Sequence, residues 1–322
     1  MRNNITLRIF VTLFFISLLY FSFRGEMGEI VQILKKTRPF YFLLGFLLQI
    51  VAIGMISARL KLIFNARGLS LPLGEAVELS FLGIFFNNFL PTAAGGDLPK
   101  AYYAYKKTKK KMESFACVLG DRIIGLFSLV LMAFISASFL WGELNRSVKT
   151  AVVSLFFISF LFVLFLFNRR LAKSLRFLLS PLERIGWIKK IEEVYSFLHS
   201  MSRDKKLLFR ALLITVVAQI VAITSAFILI RGLSASESLI RLFVFFPLIS
   251  TLSMLPSLNG LGIREGAFVY FLGGSIGKGS ALALSILWLA TLGMQSIIGG
   301  IYYLVHGWRQ ISLKEIKTLQ GG

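Results

Sequence analysis

Residues 87–100 interrupt a hydrophobic block with Asn87, Asn88, Pro91, Gly95, Gly96, Asp97, Pro99 and Lys100, polar and helix-breaking residues where a membrane span would otherwise continue. Far downstream, Pro256, Gly260, Gly262, Arg264 and Glu265 follow the same plan between two apolar runs. Backbone that breaks at membrane depth must be buried in protein or line a wet cavity, because lipid offers its amides no partner. Two such breaks in corresponding halves of a chain point to a transporter's substrate site. The fold must therefore shelter a pair of interruptions as well as bury a row of spans.

Composition makes the membrane setting firm. The chain of 322 residues is 56% hydrophobic and 16% charged, with a mean hydropathy of +0.77. Soluble domains of this length do not combine those values, so the reading is an all-α, polytopic integral membrane helical bundle. The formal charge of +21 lies in short segments between apolar runs. That is the pattern of positive-inside topology and not of a nucleic-acid surface. Cys117 is the single cysteine, which excludes a disulfide framework. His199 and His306 are far apart, without metal-ligand spacing, and no cofactor or metal is expected. Arg2 and Arg8 precede an apolar run to Phe23 with no small-residue cleavage site, which reads as a retained first helix.

Candidate spans are about Ile5–Phe23, Phe40–Leu60, Ser114–Trp141, Val148–Phe167, Leu207–Ile230 and Ala281–His306. The basic cluster Lys106–Lys111 and the stretch between Phe167 and Leu207 are placed in the cytoplasm, with both termini. Glu75–Leu90 must then enter and return on one side. Its roughly 16 residues reach about 24 Å, short of the ~30 Å hydrocarbon core. The segment Glu75–Tyr105 is thus expected to be a re-entrant helical hairpin with its tip near Pro91–Asp97. Leu239–Leu255, a tip at Pro256–Gly262 and Arg264–Gly274 form a second hairpin from the opposite face. The expectation is one transmembrane domain over 1–322, built as an inverted repeat of about six full spans and two hairpins. Repeat one covers about 5–141 and repeat two about 148–306, with a basic, amphipathic cytoplasmic segment at 168–206. Arg24–Arg38 is read as a loop, and Pro181–Met201 as an amphipathic helix at the interface, anchored by Trp187.

The polar residues suit an anionic ligand. Asp97 can cap the short helix that follows, whose first amides carry partial positive charge. Gly95 and Gly96 permit positive φ and close backbone approach to a ligand. Lys100, one turn on, can pair with Asp97 or meet a phosphate. Arg264 can grip a phosphate with two parallel hydrogen bonds, and Glu265 can neutralise it in an empty site. Asp121 and Arg122 fall early in a span, about 100° apart, so each should serve a further partner. Asn87 and Asn88 supply amides for headgroup hydroxyls or for bridging the broken backbone. A purely structural hairpin tip, or a mutually satisfied ion pair, would use the same residue types. No nucleophile, P-loop, zinc or paired-carboxylate motif is present, so an enzyme is not expected.

The tract from Asn87 to Lys100, the Asp121–Arg122 pair followed by Gly125, and the run from Pro256 to Gly266 together resemble the lysylphosphatidylglycerol synthase transmembrane-region family, also called flippase-like or UPF0104. The resemblance covers most of the chain, from the first span to the last. It implies movement of lipids between leaflets, with aminoacylated phosphatidylglycerol the best-known cargo and other polar lipids or lipid-linked sugars as further candidates. Two departures stand out. After His306 only a short stretch of this sequence remains, so synthesis of the aminoacyl lipid by a soluble transferase domain is not expected. Lys100 stands where the family pattern carries arginine.

The function expected is a flippase or scramblase of the cytoplasmic membrane, moving an anionic or lipid-phosphate lipid. The alternative is a non-transporting accessory protein that positions a membrane-associated synthase or a cell-envelope glycosyltransferase through the amphipathic segment. Export of a small polar solute is a third reading. Membrane lipids are the expected partners, nucleic acid is not, and a homo-oligomer stays open.

Overall fold

The computed structural model describes residues 24, 27–89, 95–167, 187–254 and 260–307. Among these the chain is all-α, with eleven helices, a closing π turn at Tyr303–Gly307 and no strand. Five helices are long and apolar enough to cross a membrane. These are α2 (Pro39–Asn65), α5 (Lys111–Phe139), α6 (Arg146–Phe167), α8 (Lys205–Gly232) and α11 (Lys278–Tyr302). The span expected at Ile5–Phe23 lies outside the described residues, as do Pro91 and Pro256.

The shorter helices fall into matched places. Helix α3 (Leu73–Phe89) and α4 (Asp97–Thr108) flank the first break, and α9 (Leu239–Leu252) and α10 (Ile263–Ile276) flank the second. None exceeds 17 residues, or about 26 Å, so none spans the core alone. Of the amphipathic helix expected at Pro181–Met201, residues 181–186 lie outside the described residues; helix α7 (Trp187–Arg203) covers the rest, and its Leu198 and Met201 turn inward against Gly120 of α5. The stretch Arg24–Arg38 is not a loop. It contains helix α1 (Met27–Lys36), whose Ile30, Ile33 and Leu34 recur at helical spacing. Ile30 packs against Leu282 of α11, and Lys35 and Lys36 end the helix where its dipole favours cations.

Contacts between helix ends fix the relative directions. Arg38 N donates to Gly232 O (3.3 Å), Ser225 Oγ to Gly45 O (2.8 Å), and Arg59 Nη1 to Thr215 Oγ1 (2.8 Å), so α2 and α8 run antiparallel. Arg59 links Asp121 of α5 to Thr215 of α8, and further along both helices Ser128 Oγ donates to Gln219 Oε1 (3.2 Å), so α5 runs parallel to α8. The end of α2 and the starts of α5 and α8 therefore share one face, rich in lysine. Helix α3 begins where α2 ends, and Thr108 of α4 touches Ser114 of α5 at 2.7 Å. The first hairpin thus enters and leaves at the lysine-rich face. The second opens at the other: Arg241 at the start of α9 pairs with Glu143 beyond the end of α5 (2.7 Å), and α11 begins two residues after α10 ends, beside α1.

Small residues let these helices approach. A Cβ added at Gly299 of α11 would lie 2.2 Å from Phe81 O of α3, while one at Gly293 on the same helix would meet nothing within 4 Å. We predict that Gly299→Ala lowers the thermal unfolding midpoint of the purified protein, at a cost of about 1–3 kcal/mol from overpacking, whereas Gly293→Ala leaves it near wild type. Equal midpoints for the two variants would contradict this packing.

Candidate functional site

Asp121 lies ten residues into α5, about 15 Å from the helix start, and Arg59 lies six residues, about 9 Å, from the end of α2. Both are buried, at 4% exposure each. A charge at that depth must be paired or neutralised. Arg59 Nε meets Asp121 Oδ1 at 2.7 Å, and Lys100 Nζ of α4 approaches Asp121 Oδ2 at 3.4 Å. The second arm of the Arg59 guanidinium reaches Thr215 of α8, whose hydroxyl in turn donates to Ala211 O (2.6 Å). One carboxylate thereby joins α2, α4 and α5, and Arg59 extends the link to α8.

Arg122, about 100° round α5 from Asp121, pairs with Asp97, the first residue of α4. Both side chains keep about a quarter of their surface exposed. Asp97 is not the helix cap: Gly96 holds that position with no side-chain bond to it, and the guanidinium takes the carboxylate. A charge-assisted bond outcompetes a neutral backbone amide where water is scarce. Lys100 likewise meets neither Asp97 nor open space, because Asp121 holds it. The Gly96 amide, ahead of the start of α4, donates to Asn87 Oδ1 (2.7 Å), so Asn87 bridges the interruption between the two helices.

Gly96 is used for close packing. Its φ is −81°, and a Cβ there would lie 1.9 Å from Gly83 O. The second tip does use glycine's freedom, with φ +74° at Gly260 and +83° at Gly262. There Glu265 Oε2 accepts from Gly262 N (2.5 Å), closing the start of α10. Its other oxygen takes Arg264 Nη2 (2.7 Å) and Nε (3.1 Å) and the Ser285 hydroxyl (3.3 Å). The Arg264–Glu265 pair expected from sequence is therefore formed.

These groups surround one cavity of about 490 Å³. Of the sequence candidates, Asn87, Asp97, Asp121, Arg122, Gly260 and Arg264 line it. Lys100, Gly96, Gly262 and Glu265 stand behind them as supports, and Asn88 sits half-buried on α3 away from the lining. Arg59, Thr215 and Gln219 also face the cavity and were not singled out from sequence. The available signal was Arg59 itself, an arginine within an apolar run; its partners are 62 and 156 residues away. Three guanidiniums and two carboxylates face the space, leaving an excess positive charge, and most of the remaining wall is apolar, including Ile56, Leu126, Phe246 and Trp288.

These features define a polytopic helical membrane protein with a charged internal cavity between two broken hairpins. The sequence matches the model of the family described as the lysylphosphatidylglycerol synthase TM region over residues 5–299, and the chain belongs to that family. It is similar to two UPF0104 membrane proteins of Methanothermobacter thermautotrophicus. One is 24% identical over 273 residues, covering 76% of this chain and 78% of the relative. The other is 24% identical over 314 residues, covering 89% of each. A UPF0104 membrane protein of Methanocaldococcus jannaschii is 33% identical over 100 residues, 30% of each chain.

The two acid–base clusters should differ in their weight for stability. Asp121→Asn leaves Arg59 and Lys100 buried without their counter-charge, a loss of roughly 3–5 kcal/mol. Asp97→Asn disturbs a pair open to the cavity, where solvent screens the interaction. Thermal unfolding of both variants in detergent should show a large drop for the first and a small one for the second; the reverse order would contradict the assignment.

Proposed function

We propose that the protein moves a polar, anionic lipid between the leaflets of a cytoplasmic membrane, with the lipid phosphate bound at the charged end of the central cavity. The observation that carries this reading is the two-sided character of that cavity. Its arginines suit a phosphate or other anion, whereas its long apolar wall has no use for a small soluble solute and suits the glycerol or tail region of a lipid. Arg122 and Arg264 are the proposed headgroup contacts, since Arg59 is committed to Asp121 and Thr215. A phosphate arriving at Arg122 competes with Asp97, and one at Arg264 competes with Glu265. Each exchange replaces an internal carboxylate with a substrate oxygen; at Arg122 this removes a tie between α4 and α5, whereas at Arg264 the Glu265 cap of α10 is kept.

The lysine-rich face is proposed as cytoplasmic, in keeping with the excess of lysine and arginine there. The two halves, about 5–141 and 148–306, are proposed as inverted repeats. Supporting this, the order of short amphipathic helix, long helix, hairpin and long helix occurs twice. The pairs Ser128–Gln219 and Gln49–Gln295 also sit at matching helix contacts, α5 with α8 and α11 with α2. Rocking of the two halves about the cavity would present it to each leaflet in turn. Phospholipids or lipid-linked sugars are the proposed partners.

Reconstituted liposomes with headgroup-labelled lipids test the proposal. The protein should accelerate leaflet exchange of phosphatidylglycerol, and Arg122→Ala or Arg264→Ala should slow it about tenfold or more, as expected for loss of a charge-assisted contact. No exchange across a panel of anionic, zwitterionic and polyprenyl-phosphate lipids, or full activity in both variants, would overturn it.

A further inference from the structure

A second, separate pocket lies on the far side of α5 from the central cavity. It is a crevice of about 230 Å³ between α5, α6, α7 and α8, with walls that include Ile123, Phe127, Val163, Leu198, Met201 and Leu212. On α5 it takes Gly120, Ile123 and Phe127, whereas the central cavity takes Arg122, Gly125 and Leu129. The two spaces therefore share α5 and α8 without sharing a lining residue.

We propose that this crevice binds one acyl chain of an anionic phospholipid, with the lipid phosphate held by Lys205 and Lys206. Leu208, Phe209 and Leu212 of α8 line the crevice, and Lys205 lies three, four and seven residues before them, on the same helical stripe. The distance from Lys205 to Leu212 along the helix is about 10 Å. That depth stays within one leaflet of a ~30 Å hydrocarbon core, so a headgroup at Lys205 places its tail alongside the apolar wall. Among the described residues 203–210 at the mouth, positive charge predominates. Arg203, Lys205, Lys206 and Arg210 are all exposed, and the one acid among residues 203–210, Asp204, accepts from Leu207 N at 3.0 Å as the helix cap. Lysines in the first turn of α8 also stand against its dipole, and a bound phosphate relieves both the crowding of cations and that mismatch. The apolar stripe of α7 forms the floor, which gives the amphipathic helix a role in holding lipid at the membrane surface.

Native mass spectrometry of the full chain, titrated with phosphatidylglycerol and with phosphatidylcholine of the same acyl chains, tests the assignment. The wild type should retain phosphatidylglycerol in preference to phosphatidylcholine, with the crevice adding one bound molecule to any held at the central cavity. Val163→Trp, which fills the crevice from the lipid-facing helix α6, should lose that molecule. Lys205→Ala should bind phosphatidylglycerol about fivefold more weakly, with phosphatidylcholine unchanged. Should Val163→Trp fail to fold, the double variant Lys205→Ala/Lys206→Ala decides through loss of the headgroup preference. The assignment is overturned if Val163→Trp folds and binds as the wild type does, or if the double variant keeps the wild-type preference in full. It is also overturned if the wild type carries no phosphatidylglycerol, as it would with the crevice filled by residues 168–186 of the chain or by a partner helix.

Discussion

The Asp121 carboxylate holds two cations, Arg59 and Lys100, inside an apolar bundle, and the positions of α2, α4 and α5 follow from it. In a low-dielectric interior an unpaired charge is far costlier than a lost contact, so the three helices cannot drift apart without exposing one. Lys100 belongs to the first broken hairpin. The same triad that satisfies the charges therefore also fixes where that hairpin ends, and Thr215 brings α8 into register with it. Burial of the triad leaves Arg122 and Asp97 on the open side of α5, facing the cavity.

The second tip solves the same problem by a local device. Glu265 closes the start of α10 through Gly262 N and neutralises the adjacent Arg264, so the helix end and the charge share one partner. Two hairpins, opening on opposite faces, thus deliver charged groups to one space while their backbones stay satisfied. The first tip depends on long-range partners and the second on its neighbours in sequence. This difference gives a physical reason why a ligand would act differently on the two: displacing Asp97 from Arg122 removes one of the ties between α4 and α5, with Lys100–Asp121 still in place, whereas displacing Glu265 from Arg264 leaves the cap of α10 in place.

Much of this was legible in the sequence. Apolar runs marked the five long helices described, because length and hydropathy alone decide spanning capacity. Helix-breaking residues marked both hairpins, because shortness and polarity exclude a lipid-exposed span. The Arg264–Glu265 pair was legible because its partners are neighbours. Arg59 was missed as a site residue, and Lys100 and Asp97 were assigned to local roles, because their partners come from distant segments and periodicity carries no such information. Gly96 misled in a related way: the freedom that glycine gives was read as room for a ligand, but the space is taken by Gly83. Helix α1 was passed over because its charges drew attention to topology and away from the spacing of Ile30, Ile33 and Leu34.

Two hairpins that open on opposite faces of the bundle meet around a common chamber. Cysteines placed at Asn87 and Ser253, both on the cavity wall, in a Cys117→Ala background test it most directly. Treatment with a short bifunctional maleimide in membranes should join the two positions within a single chain, detected as an internal cross-link by peptide mapping. Ready modification of both cysteines by a membrane-impermeant thiol reagent, from opposite sides and without any internal cross-link, would contradict the account.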